Sequence, residues 1–80
     1  MKVLNHPIDM IAVFEAETGK ITPFKFRYND MAIKVQKITK TYEEKLAGNR
    51  RIVFVCMHNR KDIYELKYEI DTHKWFLFKK

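Results

Sequence analysis

A single cysteine, two glycines and two prolines in 80 residues remove several kinds of chemistry before any motif is sought. With Cys56 alone no internal disulfide can form, and the multi-cysteine ligand sets of structural zinc sites are missing as well. One unpaired thiol also suits a reducing compartment. Gly19 and Gly48 are too few and too far apart to build a phosphate-cradling loop. No apolar run approaches the roughly 20 residues of a membrane-spanning helix, and residues 1–7 carry one lysine and no apolar stretch of the signal-peptide kind. These absences read as a cytoplasmic protein with no membrane partner. Nothing in the pattern assigns an enzyme activity, a cofactor or a metal.

What is present is alternation. A hydrophobic share of 46%, with 14% aromatic residues, is enough to pack a core without cross-links. A chain this short hides only about 60% of its unfolded surface, so residues 1–80 are expected to form one small β domain with a thin core. Runs at 8–17, 21–28, 31–39, 51–58, 62–70 and 74–79 alternate apolar with polar residues and read as strands. Turn residues separate them at Thr18-Gly19, Asn29-Asp30, Asn59-Arg60 and Thr72-His73. Between the third and fourth runs, Thr41 and Glu44 have capping-box spacing, Tyr42 and Leu46 share a helical face, and Gly48 supplies a stop, which predicts a short helix at 41–47. The expected fold is mainly β, with six antiparallel strands in a meander. It would form a small barrel or strongly bent roll, SH3-like or OB-like.

Two-residue turns allow the register to be tested from sequence, because they fix which residues face each other. A turn at Asn29-Asp30 pairs Tyr28 with Met31, Phe26 with Ile33 and Phe24 with Val35, all apolar, and leaves Lys25, Arg27, Ala32 and Lys34 on the other face. A turn at Thr72-His73 pairs Ile70 with Trp75 and Tyr68 with Leu77, sending Phe76 and Phe78 the other way. Trp75, Tyr64 and Tyr68 thus read as core rings rather than as a stacking platform. The run Ile52 to Met57 is apolar on both faces and reads as a central strand covered on each side. A two-residue turn at Asn59-Arg60 would place Ile52, Phe54 and Cys56 beside Ile63, Glu65 and Lys67.

The whole formal excess of six positive charges arises between residues 20 and 61. Lys25 opposite Lys34 is a like-charge pair that weakens a sheet unless an anion relieves it. Lys25, Arg27, Lys34, Lys37 and Lys40 are therefore candidates for holding nucleic acid or another polyanion. Lysines on a strand edge also deter aggregation without binding anything. Phe54, Phe76 and Phe78 form a candidate apolar interaction face for a protein partner or a second copy. Cys56 and His58, two apart on a strand, point the same way, with His73 or His6 as conceivable companions for a metal or a thiol-imidazole pair, but the spacing is unspecific. Glu65, Lys67 and Glu69 alternate along one strand as a solvated, cross-paired face would.

Pro23, Phe26 and Tyr28, then Val35, Ile38 and Gly48, then Tyr64-Glu65-Leu66 with Tyr68, Thr72, Trp75 and Leu77 resemble a class of small, uncharacterised bacterial single-domain β proteins, domains of unknown function. The resemblance covers most of the chain through structural residue types. It implies a bacterial β protein and carries no activity, cofactor or site residue. Two functional classes remain open: a binding module for nucleic acid or another polyanion on a basic hairpin face, and a protein-interaction or self-associating module on an apolar sheet face.

Overall fold

The computed structural model describes residues 2–80, which form seven strands and no helix. They are β1 (Val3–Phe14), β2 (Ile21–Tyr28), β3 (Met31–Lys34), β4 (Lys37–Leu46), β5 (Asn49–His58), β6 (Asp62–Glu69) and β7 (Lys74–Lys79). All neighbours run antiparallel in one sheet of order β3-β2-β1-β7-β6-β5-β4. The sheet curls into a half-barrel whose two free edges, β3 and β4, are consecutive in the chain and joined only through Val35 and Gln36. The backbones of Lys2 and Lys80 bond each other in both directions, at 3.0 and 3.1 Å, extending the β1–β7 ladder. Among the described residues no helix is long and apolar enough to cross a membrane.

Curvature comes from irregular pairing. The ladders shift register at Ile11/Ala12, between Val3 and His6, between Ile38 and Lys40 and at Glu65/Leu66, and each such bulge bends its strand and sharpens the local twist. The concave face then closes on itself. Phe26 on β2 meets Tyr64 on β6 at 5.9 Å between ring centroids, and Phe54 on β5 stacks on Trp75 of β7 at 5.6 Å. With Cys56, Leu66, Tyr68 and Leu77 these rings make the buried core.

The Asn29-Asp30 hairpin pairs Tyr28 with Met31 and Phe26 with Ile33 as the sequence implies. Both turn residues have positive φ (50° and 61°), the primed geometry that matches strand twist and that Asn and Asp tolerate. Phe24 departs from expectation. Ile11 pairs with Lys25 and Ala12 with Pro23, so Phe24 is the extra residue of a bulge and is left 45% exposed instead of pointing inward.

The expected helix at 41–47 is the outer half of β4. Leu46 pairs with Asn49 through Ala47 and Gly48, whose φ values of 51° and 84° form a two-residue hairpin turn, so Gly48 turns a strand rather than ending a helix. A two-turn helix would satisfy few of its own backbone groups, whereas the strand pairs with β5 along its length, from Lys37 opposite Met57 to Leu46 opposite Asn49. The expected third strand therefore splits at Val35-Gln36, and six strands become seven.

The loops after β5 and β6 are longer than two residues, with opposite consequences. His58 pairs with Asp62 across a three-residue loop, an odd slip that exchanges the faces: Phe54 lies opposite Leu66 and Cys56 opposite Tyr64. Glu69 pairs with Lys74 across a four-residue loop, an even slip that keeps Tyr68 and Leu66 beside Trp75 and Leu77. That loop is fastened by the Thr72 hydroxyl donating to Glu69 at 2.8 Å and by the His73 N–H donating to Glu69 O at 2.9 Å.

Ala47 holds a left-handed conformation that costs a Cβ-bearing residue about 1 kcal/mol. Ala47→Asn, which makes an Asn-Gly turn, should stabilise the domain by about 0.5–1 kcal/mol, or a few degrees in Tm. An unchanged melting temperature would show that the turn is not strained at that residue.

Candidate nucleic-acid interface on the convex face

Because Met10, Phe26 and Ile33 line one face of β1–β3 and pack on the core, the residues between them project to the other. Lys25 sits between Ile11 and Lys34, and Arg27 between Asp9 and Ala32. Small Ala32 leaves a shallow depression of about 310 Å³ flanked by Asp9, Ile11, Lys25 and Arg27. None of Lys25, Arg27 or Lys34 is among the salt-bridged residues of the described chain, whose pairs are Arg50–Asp71, Arg51–Glu44 and Lys67–Glu44. The bulge adds a ring: Lys34 Nζ lies 5.5 Å from the centroid of exposed Phe24, while the Phe24 carbonyl accepts the Val35 N–H at 2.8 Å and so anchors the backbone beneath it. Ile11 and Val13 are exposed on the neighbouring strand. Sequence reasoning misses Phe24 because bulges leave no mark in an alternating pattern.

The five basic candidates divide. Lys25, Arg27 and Lys34 share this face, whereas Lys37 and Lys40 lie on β4 at the opposite edge of the sheet. Lys40 reaches over the Tyr42 ring at 5.2 Å and lines a smaller depression with Lys20, Thr22 and Thr39.

The three phenylalanines of the apolar candidate divide too. Phe54 is in the concave core, because of the odd slip after β5, while Phe76 and Phe78 are half-buried on the convex side. Phe78 is covered from within the chain: Lys67 Nζ sits 3.5 Å above its ring. That ammonium is also 2.8 Å from Glu44 Oε2, an oxygen that Arg51 Nε approaches at 3.4 Å. Lys67 is only 6% exposed, so it does not belong to a solvated strand face. Its partner Glu44 lies on β4, in the segment whose local signals favour a helix, and the pairing is hidden with it.

Cys56 is fully buried, and burial pushes its thiol up from 9.0 to about 12. The thiol donates to Phe54 O at 3.6 Å. His58 shares its face, but His73 is occupied at the β6–β7 loop, its Nδ1 3.1 Å from the Tyr68 hydroxyl. Among the described residues no three His, Cys, Asp or Glu side chains converge as metal ligands would. Hydrogen bonds from Thr72 and then Asn49 hold the Glu69 carboxyl below its ordinary value, despite an opposing effect of burial. A general acid needs the reverse.

No protein family, characterised protein or solved structure was found to match the chain.

Glu44→Ala removes the carboxylate from a buried ammonium and should cost about 2–4 kcal/mol, whereas Lys67→Met should cost far less, because the partly exposed Glu44 it leaves behind keeps Arg51 at 3.4 Å. Denaturant midpoints of the two variants test this, and equal losses would contradict it. The buried thiol should resist labelling until the protein unfolds. Between pH 9 and about 12 the unfolded Cys56 ionises while the folded one does not, so the unfolded state binds fewer protons and stability falls as pH rises through that window. Rapid native-state labelling, or a flat midpoint above pH 9, would place Cys56 in solvent.

Proposed function

We propose that the chain is a non-enzymatic binding module that holds single-stranded nucleic acid on the convex face of β1–β3. The observation that carries this reading is the bulge, which leaves an exposed aromatic ring, Phe24, 5.5 Å from Lys34 Nζ and on the strand that carries Lys25 and Arg27, three cations that have no salt-bridge partner among the described residues. Cations on one strand-pair face attract a phosphate backbone irrespective of sequence. An accessible ring beside them gives unstacked bases a surface on which to lie, which is the combination that single-strand binders use. The Lys25–Lys34 pair also favours an anion, because like charges directly opposite each other repel. Lys20 and Lys40 offer a second, smaller basic patch around the curve of the sheet, as a strand wrapping an OB-like or SH3-like β surface would need. A cytoplasmic setting fits such a partner.

The test is fluorescence anisotropy of labelled oligo(U) titrated over a range of salt. Changing Lys25, Arg27 and Lys34 together to Gln should lower the slope of log affinity against log salt by up to about 2 units, near 0.7 for each phosphate no longer neutralised. Phe24→Ala should weaken binding by about 1–3 kcal/mol and leave the slope unchanged. If neutralising Lys79 and Lys80 costs as much as the triple change, attraction is diffuse and the site is wrong. Absence of binding at low salt would remove the proposal.

A further inference from the structure

On the concave side the half-barrel leaves a seam open. Between the β2–β3 hairpin and the β5–β6 end lies a cleft of about 420 Å³, walled by Phe26, Met31, Ile33, Ile63, Tyr64 and Leu77. Its size is within the range of small-molecule sites, and its walls are mostly apolar with few polar groups, as such sites are. Gln36 closes one end by accepting the Asn59 N–H at 3.2 Å, which ties the β3–β4 connection to the β5–β6 loop. Met31 and Ile63 stay 65% and 43% exposed, so the apolar walls continue to the mouth.

Two residues that line this cleft carry a buried polar atom with no well-formed hydrogen bond among the described residues, Tyr64 Oη and His58 Nδ1. The Tyr64 hydroxyl lies near the Cys56 thiol, but a thiol is a poor partner and this one is directed to Phe54 O. Burial raises both the Tyr64 phenol and the Cys56 thiol, and the neighbouring thiol raises the phenol further, so both stay neutral and the phenol keeps a proton that only a weak sulfur acceptor competes for. Buried polar groups left unpaired are uncommon in folded proteins and call for an explanation. Charge at the rim is unequal: Lys34 and Lys80 face the cleft against one acid, Asp62, and Lys80 Nζ is held 5.2 Å from the Tyr28 ring at the same end.

We propose that this seam binds a small apolar carboxylate, its hydrocarbon body between Phe26, Ile33 and Ile63 and its carboxylate accepting hydrogen bonds from Tyr64 Oη and His58 Nδ1. Apolar walls exclude water from the body, and the two donors satisfy an anion that an apolar pocket alone would reject. Rim lysines favour entry of the negative end. The site uses the face of the sheet opposite to the one assigned to nucleic acid, shares only the edge residue Lys34 with it, and stands whether or not that assignment does.

Octanoate is a suitable probe, followed by methyl chemical shifts of Ile33, Ile63 and Leu77 in the full chain. Saturable shifts at these methyls are expected, with octan-1-ol binding about tenfold more weakly. Tyr64→Phe keeps the ring and removes only the hydroxyl, and should weaken octanoate about tenfold, as loss of a hydrogen bond to a charged group does. His58→Gln gives an independent variant should Tyr64→Phe not fold, and should also weaken binding. Phe24→Ala should leave octanoate affinity unchanged. Octanol binding as tightly as octanoate, unchanged affinity in both variants, or no saturable shift at the three methyls would each overturn the proposal.

Discussion

A lone sheet has two faces, and the described residues include no helix to cover either, so the structure depends on curling until Phe26 of β2 reaches Tyr64 of β6. Two strands, β1 and β7, separate those residues in the sheet, and only strong curvature can bring their rings together. The bulges supply that curvature, and the core follows from it. The concave face gathers Phe26, Phe54, Tyr64, Tyr68 and Trp75 into one aromatic mass. The convex face is left with short-range solutions, among which the buried Lys67, held between Glu44 and Phe78, is the most demanding. Its ammonium is tolerable only because an acid and a ring face together replace the water it has lost.

Much of this was legible residue by residue. Alternation identified the β class, and Asn29-Asp30 announced its turn because few other residues accept positive φ at both positions. The hairpin it closes was readable down to the Phe26–Ile33 pair. Elsewhere local chemistry misled. Thr41, Glu44 and Gly48 satisfy the rules for capping a helix, yet the same Gly48 turns β4 into β5, and the long β5 ladder outweighs a helix too short to sustain itself. Loop length was the other hidden variable. Adding two residues to the β6–β7 loop changes no face, whereas adding one to the β5–β6 loop moves Phe54 into the core and separates it from Phe76 and Phe78. The basic site was half visible. Lys25, Arg27 and Lys34 came from the hairpin register, but Phe24 could not, because the bulge that turns it outward depends on how β1 pairs with β2. The separation of Lys37 and Lys40 from them follows from strand order, which composition does not encode.

The two faces divide charge and polarity between them. The convex face of β1–β3 offers cations free of salt bridges around an accessible ring, and the concave seam offers apolar walls around unpaired polar atoms. Lys34 lies on the edge strand where the two surfaces meet and borders both. Deformation of the free edge at β3 would be felt on each side, while β5 to β7 carry most of the buried core.

The backbone bonds between Lys2 and Lys80 give the fold an unusual relation between connectivity and space. Among the described strands, the only neighbours in sequence that are not neighbours in the sheet are β3 and β4, while β1 and β7, the first and last of them, lie side by side. Were the ends linked and the chain opened between β3 and β4, the order along the backbone would become β4-β5-β6-β7-β1-β2-β3, which is the order across the sheet. Every ladder would survive and each strand would pair only with its immediate successor. The fold is thus a simple seven-strand meander seen from a different starting point. The Val35-Gln36 link is the one connection in it that spans the gap between free edges instead of joining paired strands, and it is the place where a circularly permuted chain would most naturally begin.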